Sequence, residues 1–455
     1  MPTRNHPRSA LRAIVTATLA AAVLGLPASA IAQTAKEQEL EKRVAELEKM
    51  VQQLLAEKKA APAPAAAPAA APAKPAGPAI QAASITPNAA PNTTFVFTGF
   101  VKADALFTNT SDGEIPDSTV GRDFYVPSTI PIGGADESTD LNAHVKQSRV
   151  NFGTDTILDG GDKLSTRFEV DFFGSVTGDQ RVSNTYAPVL RHAYVTWREW
   201  LVGQTWSNFM DVATLPEAAD FIGTTDGTTF VRQPQVRWTK GGLSLSAENR
   251  ETTITPYTAA GAAGARITSD DGMFPDLTAR YAFKGDWGHV AIAGLVRELK
   301  YENDATDVND SKWAGAASLS GKFMIGKDDI RFMLLGGNLG RYVGLNFTTD
   351  AVLTGNGGAA DLETIDGFAG SIAYRHVWSD KWRSSVYFAM GDYDNDVDYT
   401  GGRVNKSSQS WTFNTWYTPL PKLDIGAEFR YAERELENGT DGDLNRLQLT
   451  TKYSF

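Results

Sequence analysis

Leu447-Gln448-Leu449-Thr450-Thr451-Lys452-Tyr453-Ser454-Phe455 closes the chain on a two-residue alternation. Leu447, Leu449, Thr451, Tyr453 and Phe455 fall on one side, and Gln448, Thr450, Lys452 and Ser454 on the other. Successive side chains of an extended strand point to opposite faces, so this segment reads as a strand with one apolar and one polar face. The same period recurs upstream. Leu423, Ile425, Ala427, Phe429 and Tyr431 alternate with Asp424, Gly426, Glu428 and Arg430. Leu164, Thr166, Phe168 and Val170 have the partners Ser165, Arg167, Glu169 and Asp171, and Phe95 to Phe107 alternates with a face carrying Lys102 and Asp104. A soluble sandwich alternates too, but hides its apolar face inside. A barrel in lipid reverses that, with the apolar face outside and a wet interior.

Composition, length and the two chain ends favour the barrel in lipid. The 455 residues are 21% charged and 42% hydrophobic, with 22 Phe, 14 Tyr, 10 Trp and 41 Gly, a β-rich mixture. Mean hydropathy is −0.27, and past residue 30 no apolar run approaches the roughly 18 residues of a spanning helix. Cysteine is absent, which removes disulfides, thiolate metal sites and cysteine nucleophiles. A formal charge of −11 argues against a nucleic-acid partner, which requires a basic face. The alternation predicts an all-β transmembrane barrel over 93–455 with about sixteen antiparallel strands. They are placed at 94–108, 143–157, 163–175, 188–198, 200–207, 229–239, 242–254, 275–284, 287–301, 311–324, 328–341, 366–378, 381–394, 407–418, 422–434 and 444–455. Turns such as Asp159-Gly160-Gly161-Asp162, Lys240-Gly241-Gly242 and Pro419-Leu420-Pro421 are short, and the connections between them are long and acidic. That asymmetry belongs to outer-membrane barrels, and an even strand count leaves both ends in the periplasm. A terminal aromatic after an alternating strand, here Phe455, resembles the signal read by the barrel-insertion machinery of Gram-negative bacteria. Trp287, Trp378, Trp382, Trp411 and Tyr453, near strand ends, read as an interfacial girdle facing outer-membrane lipids.

The first ninety residues have a different character. Arg4, Arg8 and Arg12, the apolar stretch Ala13 to Leu26, and Ala28-Ser29-Ala30 or Ala30-Ile31-Ala32 form a signal peptide over 1–32. Residues 33–59 carry Leu40, Val44, Leu47, Val51 and Leu54 at 4-3-4-3 spacing, the seam of a short coiled-coil stalk. Val at a with Leu at d leans towards two strands, whereas Arg43-Val44-Ala45-Glu46-Leu47-Glu48 resembles a trimer-specifying pattern. Fewer than four heptads is too little to hold subunits together alone. Residues 60–92 form an Ala/Pro linker whose prolines forbid continuous helix. Such a periplasmic stalk offers a contact with the cell wall.

Catalytic and metal motifs are absent from the sequence. No H-E-x-x-H, G-x-S-x-G or Walker A pattern occurs. His144, His192, His289 and His376 lie on separate strands without metal spacing. Asp392, Asp394, Asp396 and Asp398 start like a calcium loop, but Val397 stands where glycine is needed; a solvated acidic loop that loosely holds divalent cations is the expectation. No cofactor is expected, and no enzyme. Beyond residue 92 the chain holds 33 basic and 48 acidic residues, 20 of the bases being Arg. The acids gather in loops. At lumen-facing parity stand Arg149, Arg167, Arg237, Arg250, Arg280, Arg297, Arg331, Arg375, Arg383, Arg430 and Arg434. Guanidinium groups capture carboxylates bidentately, so arginines lining a lumen suit small anionic solutes. The plainer expectation is that some of these pair with Glu169, Asp171, Glu248 and Glu428. Two other classes compete with a channel. An outer-membrane lipid hydrolase would need a Ser–His pair on the outer barrel face. A structural protein tethering membrane to cell wall would not need an Arg-lined lumen.

At Leu190-Arg191-His192-Ala193-Tyr194-Val195-Thr196-Trp197, Leu201-Val202-Gly203-Gln204-Thr205-Trp206-Ser207-Asn208-Phe209-Met210-Asp211 and Phe230-Val231-Arg232-Gln233-Pro234-Gln235-Val236-Arg237-Trp238 the chain resembles the DcaP-like trimeric porins. The resemblance covers signal peptide, coiled coil, linker, barrel and terminal Phe. It implies a homotrimer of passive channels favouring small organic anions, dicarboxylates among them. The Gly/Ala-rich strand face of Trp313, Gly315, Ala317 and Leu319 is the expected packing surface between subunits. It also implies that 208–229, after the fifth strand, folds into the lumen. There Asp211, Glu217, Asp220 and Asp226 are expected to face Arg149, Arg167, Arg232 and Arg237 across the narrowest point, with Arg250 and Arg280 also lining the pore and binding anions. Arg232 has the wrong parity for that role unless Pro234 marks a bulge.

Overall fold

In a computed structural model the described residues are 90–455, except 118, 135, 174–185 and 259–263, together with 42, 43, 45, 46, 48–50, 52 and 53. The latter positions are helical and exposed. The signal peptide, the linker to residue 89 and the seam residues Leu40, Val44, Leu47, Val51 and Leu54 lie outside the described residues. No helix among the described residues is long and apolar enough to cross a membrane.

The rest is one closed antiparallel barrel of sixteen strands. In chain order they are β1 (Thr93–Thr110), β2 (Ser138–His144, continued by Arg149–Ile157), β3 (Lys163–Asp171), β4 (Val189–Trp197), β5 (Trp200–Trp206), β6 (Arg232–Lys240), β7 (Leu243–Glu248) and β8 (Asp276–Gly285). There follow β9 (Gly288–Asn303), β10 (Val308–Ile325), β11 (Asp328–Gly337), β12 (Asp366–Val377), β13 (Trp382–Asp394), β14 (Asn405–Leu420), β15 (Leu423–Leu436) and β16 (Asp441–Ser454). Each pairs with the next, and β16 returns to β1 in register from Phe100↔Ser454 to Thr110↔Leu444. Closure leaves no unpaired strand edge, the condition for a sheet in hydrocarbon. The alternation sorts as its period requires: Phe95, Phe97, Val101 and Phe107 are exposed on the outside, while Lys102, Asp104, Leu106 and Thr108 are buried within. Gly241, at φ +61, makes the two-residue turn between β6 and β7 that a β-branched residue would strain.

The terminal residue sits at the seam. Phe455 and Gly99 exchange backbone hydrogen bonds of 3.0 and 3.2 Å, and the Phe455 ring stacks on Phe97 at 5.5 Å. Removing Phe455 deletes the last link of closure and leaves the lumen untouched. The expected outcome is less folded barrel in the outer membrane but normal conductance per channel, read from heat-modifiable bands and single-channel recordings. Normal assembly without it would show that the alternating strand carries the insertion signal by itself.

Three sequence expectations change. The strand placed at 143–157 is broken: Ser138–His144 pairs with the upper part of β1 and Arg149–Ile157 with the lower. In the gap the Ser148 hydroxyl accepts from the Lys102 backbone N–H at 3.0 Å, replacing a ladder bond. The strand placed at 242–254 leaves the barrel at Glu248. Thr252–Thr255 instead joins Ile267–Ser269, Ala351–Leu353 and Leu362–Thr364 in a separate four-stranded sheet. Finally, not every connection opposite the short turns is long. Those at 304–307 and 437–440 are short, because β9 with β10 and β15 with β16 stay paired almost to their tips.

Candidate functional site in the barrel lumen

The connection from β5 to β6, residues 207–231, runs inside the barrel as a strap, with Phe209, Ile222, Thr225 and Asp226 all buried. Its four acids are spent on the wall. Asp211 takes His289 Nε2 at 2.7 Å and the Ser320 hydroxyl at 2.9 Å, and caps a one-turn helix through the Ala213 N–H. Glu217 pairs with Arg383 at 2.6 Å and lies 3.8 Å from Arg375. Asp220 accepts from the Tyr125 N–H at 2.9 Å and stands 3.7 Å from Arg430. Asp226 accepts from the Tyr125 hydroxyl at 2.8 Å and Ser410 at 2.5 Å. Burial pushes the Asp226 carboxyl up from its ordinary value, against the hydrogen bonds from Ser410, Ser408 and Tyr125.

Wall donors also hold the strap by its backbone. Lys102 Nζ donates to the Ala219 carbonyl at 2.6 Å, Arg430 to Gly223 at 2.7 Å, Arg280 to Met210 at 3.2 Å and Arg331 to Leu215. A strap held by both its charges and its carbonyls is fixed in place. Tyr125 belongs to the connection from β1 to β2, a second inward segment whose Ile115, Tyr125 and Ile130 pack on Ala432 and Leu444.

Arg149, Arg167, Arg232 and Arg237 are the arginines expected opposite the strap, with Arg250 and Arg280 expected along the pore. Among the described residues none makes an ion pair with Asp211, Glu217, Asp220 or Asp226. Arg149 lies 3.5 Å from Glu169 and 4.0 Å from Asp171, but Arg191 takes both carboxylates more closely, at 2.8 and 2.6 Å. Arg167 pairs with Asp155 at 3.0 Å. Arg237 donates to Gln235 at 2.8 Å and to the Trp206 carbonyl. Arg232 rests on the rings of Trp206 and Phe230 at 5.0 and 5.9 Å, beside Arg191, whose guanidinium lies 5.6 Å from the same Trp206 ring; the β6 register runs unbroken through Pro234, so no bulge is involved. Arg250 is not on a barrel strand, since β7 ends at Glu248; it donates to the Asp270 carbonyl at 3.3 Å. Arg280 faces the start of the strap.

Of the four acids expected to pair with lumen arginines, Glu169 and Asp171 do, and Glu428 lies 3.7 Å from Arg430. Glu248 instead accepts from the Asn208 N–H at 2.7 Å and Gln233 at 2.6 Å. Asp396, in the acidic run, caps a one-turn helix by accepting from the Asp398 N–H at 3.0 Å.

The two sides of the lumen differ. On β9, β11 and β12 the inward residues Ala293, Leu295, Met333, Leu335 and Ala369 are at most 5% exposed. On β2 and β3 the Arg149 and Arg167 side chains keep 21% and 24% exposure. Arginine thus stays reachable from the lumen on the β2–β3 wall, as Arg375 of β12 and Lys322 of β10 do at 25% exposure each.

The sequence profile of the DcaP outer membrane protein family matches residues 80–455. The chain belongs to the DcaP outer membrane protein family. The crystal structure of the outer membrane channel DcaP of Acinetobacter baumannii superposes with a TM-score of 0.65 at 24% identity, covering 80% of this chain and 98% of that one. An anion-selective porin from Comamonas acidovorans is similar at 0.49 and 10% identity, over 80% of this chain and 100% of its own. OmpT, an outer membrane protein of Vibrio cholerae, gives 0.47 at 12% identity, over 81% and 99%. No curated protein matches the sequence. For a DcaP-family barrel the sequence reading missed Lys102 and Arg191 as bracing residues. The signal for Lys102 was there: a lysine at lumen parity two residues from Asp104.

Proposed function

We propose that this outer-membrane barrel is a passive channel for small hydrophilic solutes, preferring small organic anions such as dicarboxylates. The observation that carries the reading is the charge left over along the passage. Among the described residues Arg149, Arg191 and Arg232 bring three positive charges to the two carboxylates Glu169 and Asp171, which leaves one in surplus, and Arg237 has an amide and a carbonyl as partners rather than a carboxylate. A carboxylate entering there meets guanidinium groups whose donors are not fully used. The test is the reversal potential in a salt gradient across a planar bilayer, with a dicarboxylate titrated as blocker. Anion preference with dicarboxylate block supports the reading, and cation preference overturns it.

The channel works without a cofactor, as a homotrimer bathed in outer-membrane lipid, with residues 1–32 removed as a signal peptide. The stalk of 33–59 and the linker of 60–92 extend into the periplasm, where cell-wall contact is available. The barrel wall holds the subunits together, the face of Trp313, Gly315, Ala317 and Leu319 included, and the stalk assists. Deleting 33–92 is accordingly expected to leave heat-resistant trimers on unboiled gels. Monomers alone would assign the oligomer to the stalk.

A further inference from the structure

A polar interior is what a water-filled barrel requires, yet β9, β11, β12 and β13 turn Ala293, Leu295, Met333, Leu335, Ala369 and Tyr393 inward. Those groups are dry because the connection from β11 to β12, residues 338–365, folds down onto them with Leu339, Tyr342, Val343 and Phe347, all at most 1% exposed. The result is a hydrophobic core inside the barrel, as tightly closed as a soluble domain's. We propose that this segment is a permanent internal partition that sets the size limit of the channel by closing one side of the lumen, in addition to the strap at 207–231. The inference rests on the channel reading above and adds the element that decides which solutes fit.

Its fastening is a buried charge cluster, not an apolar contact alone. Arg297 of β9, at 0% exposure, reaches Asp350 Oδ1 at 2.5 Å and Asp276 Oδ2 at 3.5 Å. Asp350 also accepts from the Thr253 and Arg341 N–H groups at 2.8 and 3.0 Å, and Asp276 from Arg341 at 2.9 Å and the Tyr342 hydroxyl at 2.7 Å. Asn338 spans the neck of the segment, donating to the Asp350 and Ile365 carbonyls at 2.7 and 2.9 Å. Above it, the four-stranded sheet packs Ile254, Ala351, Leu353 and Leu362 on Leu299 and Val308 at the tips of β9 and β10. A buried ion cluster with every strand around it is costly to open, so the partition is a wall, not a gate. It also buttresses the strap: Phe230 N–H donates to the Tyr342 carbonyl at 3.0 Å, and Gln233 to the Tyr342 hydroxyl at 2.8 Å.

Two experiments test this in full-length channels. Gly337 and Gly367 are direct partners across β11 and β12, so residues 339–364 can be exchanged for a short Gly-Ser turn without parting the strands. The shortened channel is expected to conduct about twofold or more above the parent, since current follows open cross-section, and to admit larger sugars in liposome swelling. Unchanged conductance and size limit in folded trimers would overturn the partition. Because that variant bares an apolar surface and can fail to fold, a second measurement uses the parent fold. The chain has no cysteine, so single cysteines report cleanly. Asn151→Cys, on the β2 wall, is expected to react with a charged thiol reagent and lose most of its current, while Leu335→Cys stays unmodified. Equal reaction at both would show that solutes pass through the β11 side and sink the proposal. These readouts are size and access, whereas the channel's preference for anions is read separately from reversal potentials, so either reading can fail alone.

Discussion

Channels with Arg149, Arg167 and Arg237 all changed to Ala are expected to shift their reversal potential towards cations, and to lose about tenfold in affinity for a blocking dicarboxylate. That loss corresponds to about 1.4 kcal/mol, on the order of one charge-assisted hydrogen bond. The three contributions are unequal, and the local pairing says in which order. Arg237 has no carboxylate in its hydrogen bonds, so removing it subtracts a full positive charge from the passage. Arg149 is held only loosely by Glu169 and Asp171, at 3.5 and 4.0 Å, because Arg191 takes both more closely, so its donors stay available to a solute. Arg167 is matched by Asp155 at 3.0 Å, and Lys163 holds the same acid at 2.9 Å, so Arg167→Ala leaves Asp155 paired and should weaken dicarboxylate block least. Single substitutions should therefore rank Arg237 and Arg149 above Arg167 when block is measured. A competing account makes these arginines braces for the local backbone, as the Arg167 bonds to the Thr154 and Thr166 carbonyls suggest. Under that account the triple variant becomes noisy or unstable without a change in the sign of selectivity. An unchanged anion preference in a salt gradient would defeat the ladder of arginines.

The alternation of Leu447 to Phe455, and its repeats upstream, was enough to place all sixteen strands and to say which face is wet, because a strand's period of two is local information. The inward strap after the fifth strand was also legible, from Phe209, Ile222 and four acids in one connection. What the sequence could not say is who meets whom inside. Arg375, Arg383 and Arg430 stood at lumen parity beside Arg149, Arg167 and Arg237, and nothing local separates the set that holds the strap from the set that lines the passage. That division follows from where each strand lies around the ring. The partition at 338–365 left a usable trace: Ala293, Leu295, Met333 and Leu335 sit at inward parity, and an apolar inward face in a wet barrel has to be covered by something. Leu339, Tyr342, Val343 and Phe347, apolar residues in a long connection between strands, were the cover. The break in β2 left no such trace, since Val145 to Ser148 carries neither Pro nor Gly.

Arg430→Ala is expected to be the most damaging single substitution in the lumen. Its guanidinium is 2% exposed, lies over the Tyr125 ring at 4.4 Å, and donates to the Gly223 carbonyl at 2.7 Å and Ser410 at 3.1 Å. It is also the cation 3.7 Å from both Asp220 and Glu428, each buried. Truncation takes the cation away from two facing carboxylates and leaves, among the described residues, only Lys102 and Arg446 nearby to offset them, and breaking a buried pair costs about 3–5 kcal/mol. Unlike Arg149→Ala, then, it should lower the temperature at which the folded band is lost on unboiled gels, and free the strap, so that open-channel current becomes noisy. Arg430→Lys keeps the charge but loses the second donor and the planar stacking, and should recover only part of the stability. The decisive variant removes both carboxylates together with the cation: Arg430→Met with Asp220→Asn and Glu428→Gln strands neither acid, and replacing a buried ion cluster by neutral groups is often tolerated. Recovery of the melting temperature in the triple variant, but with the noise persisting, would assign the stability cost to stranded charge and the strap's fixation to the arginine's bond with Gly223. If the triple variant melts as low as Arg430→Ala, the guanidinium acts through packing against Tyr125 and the charge account fails.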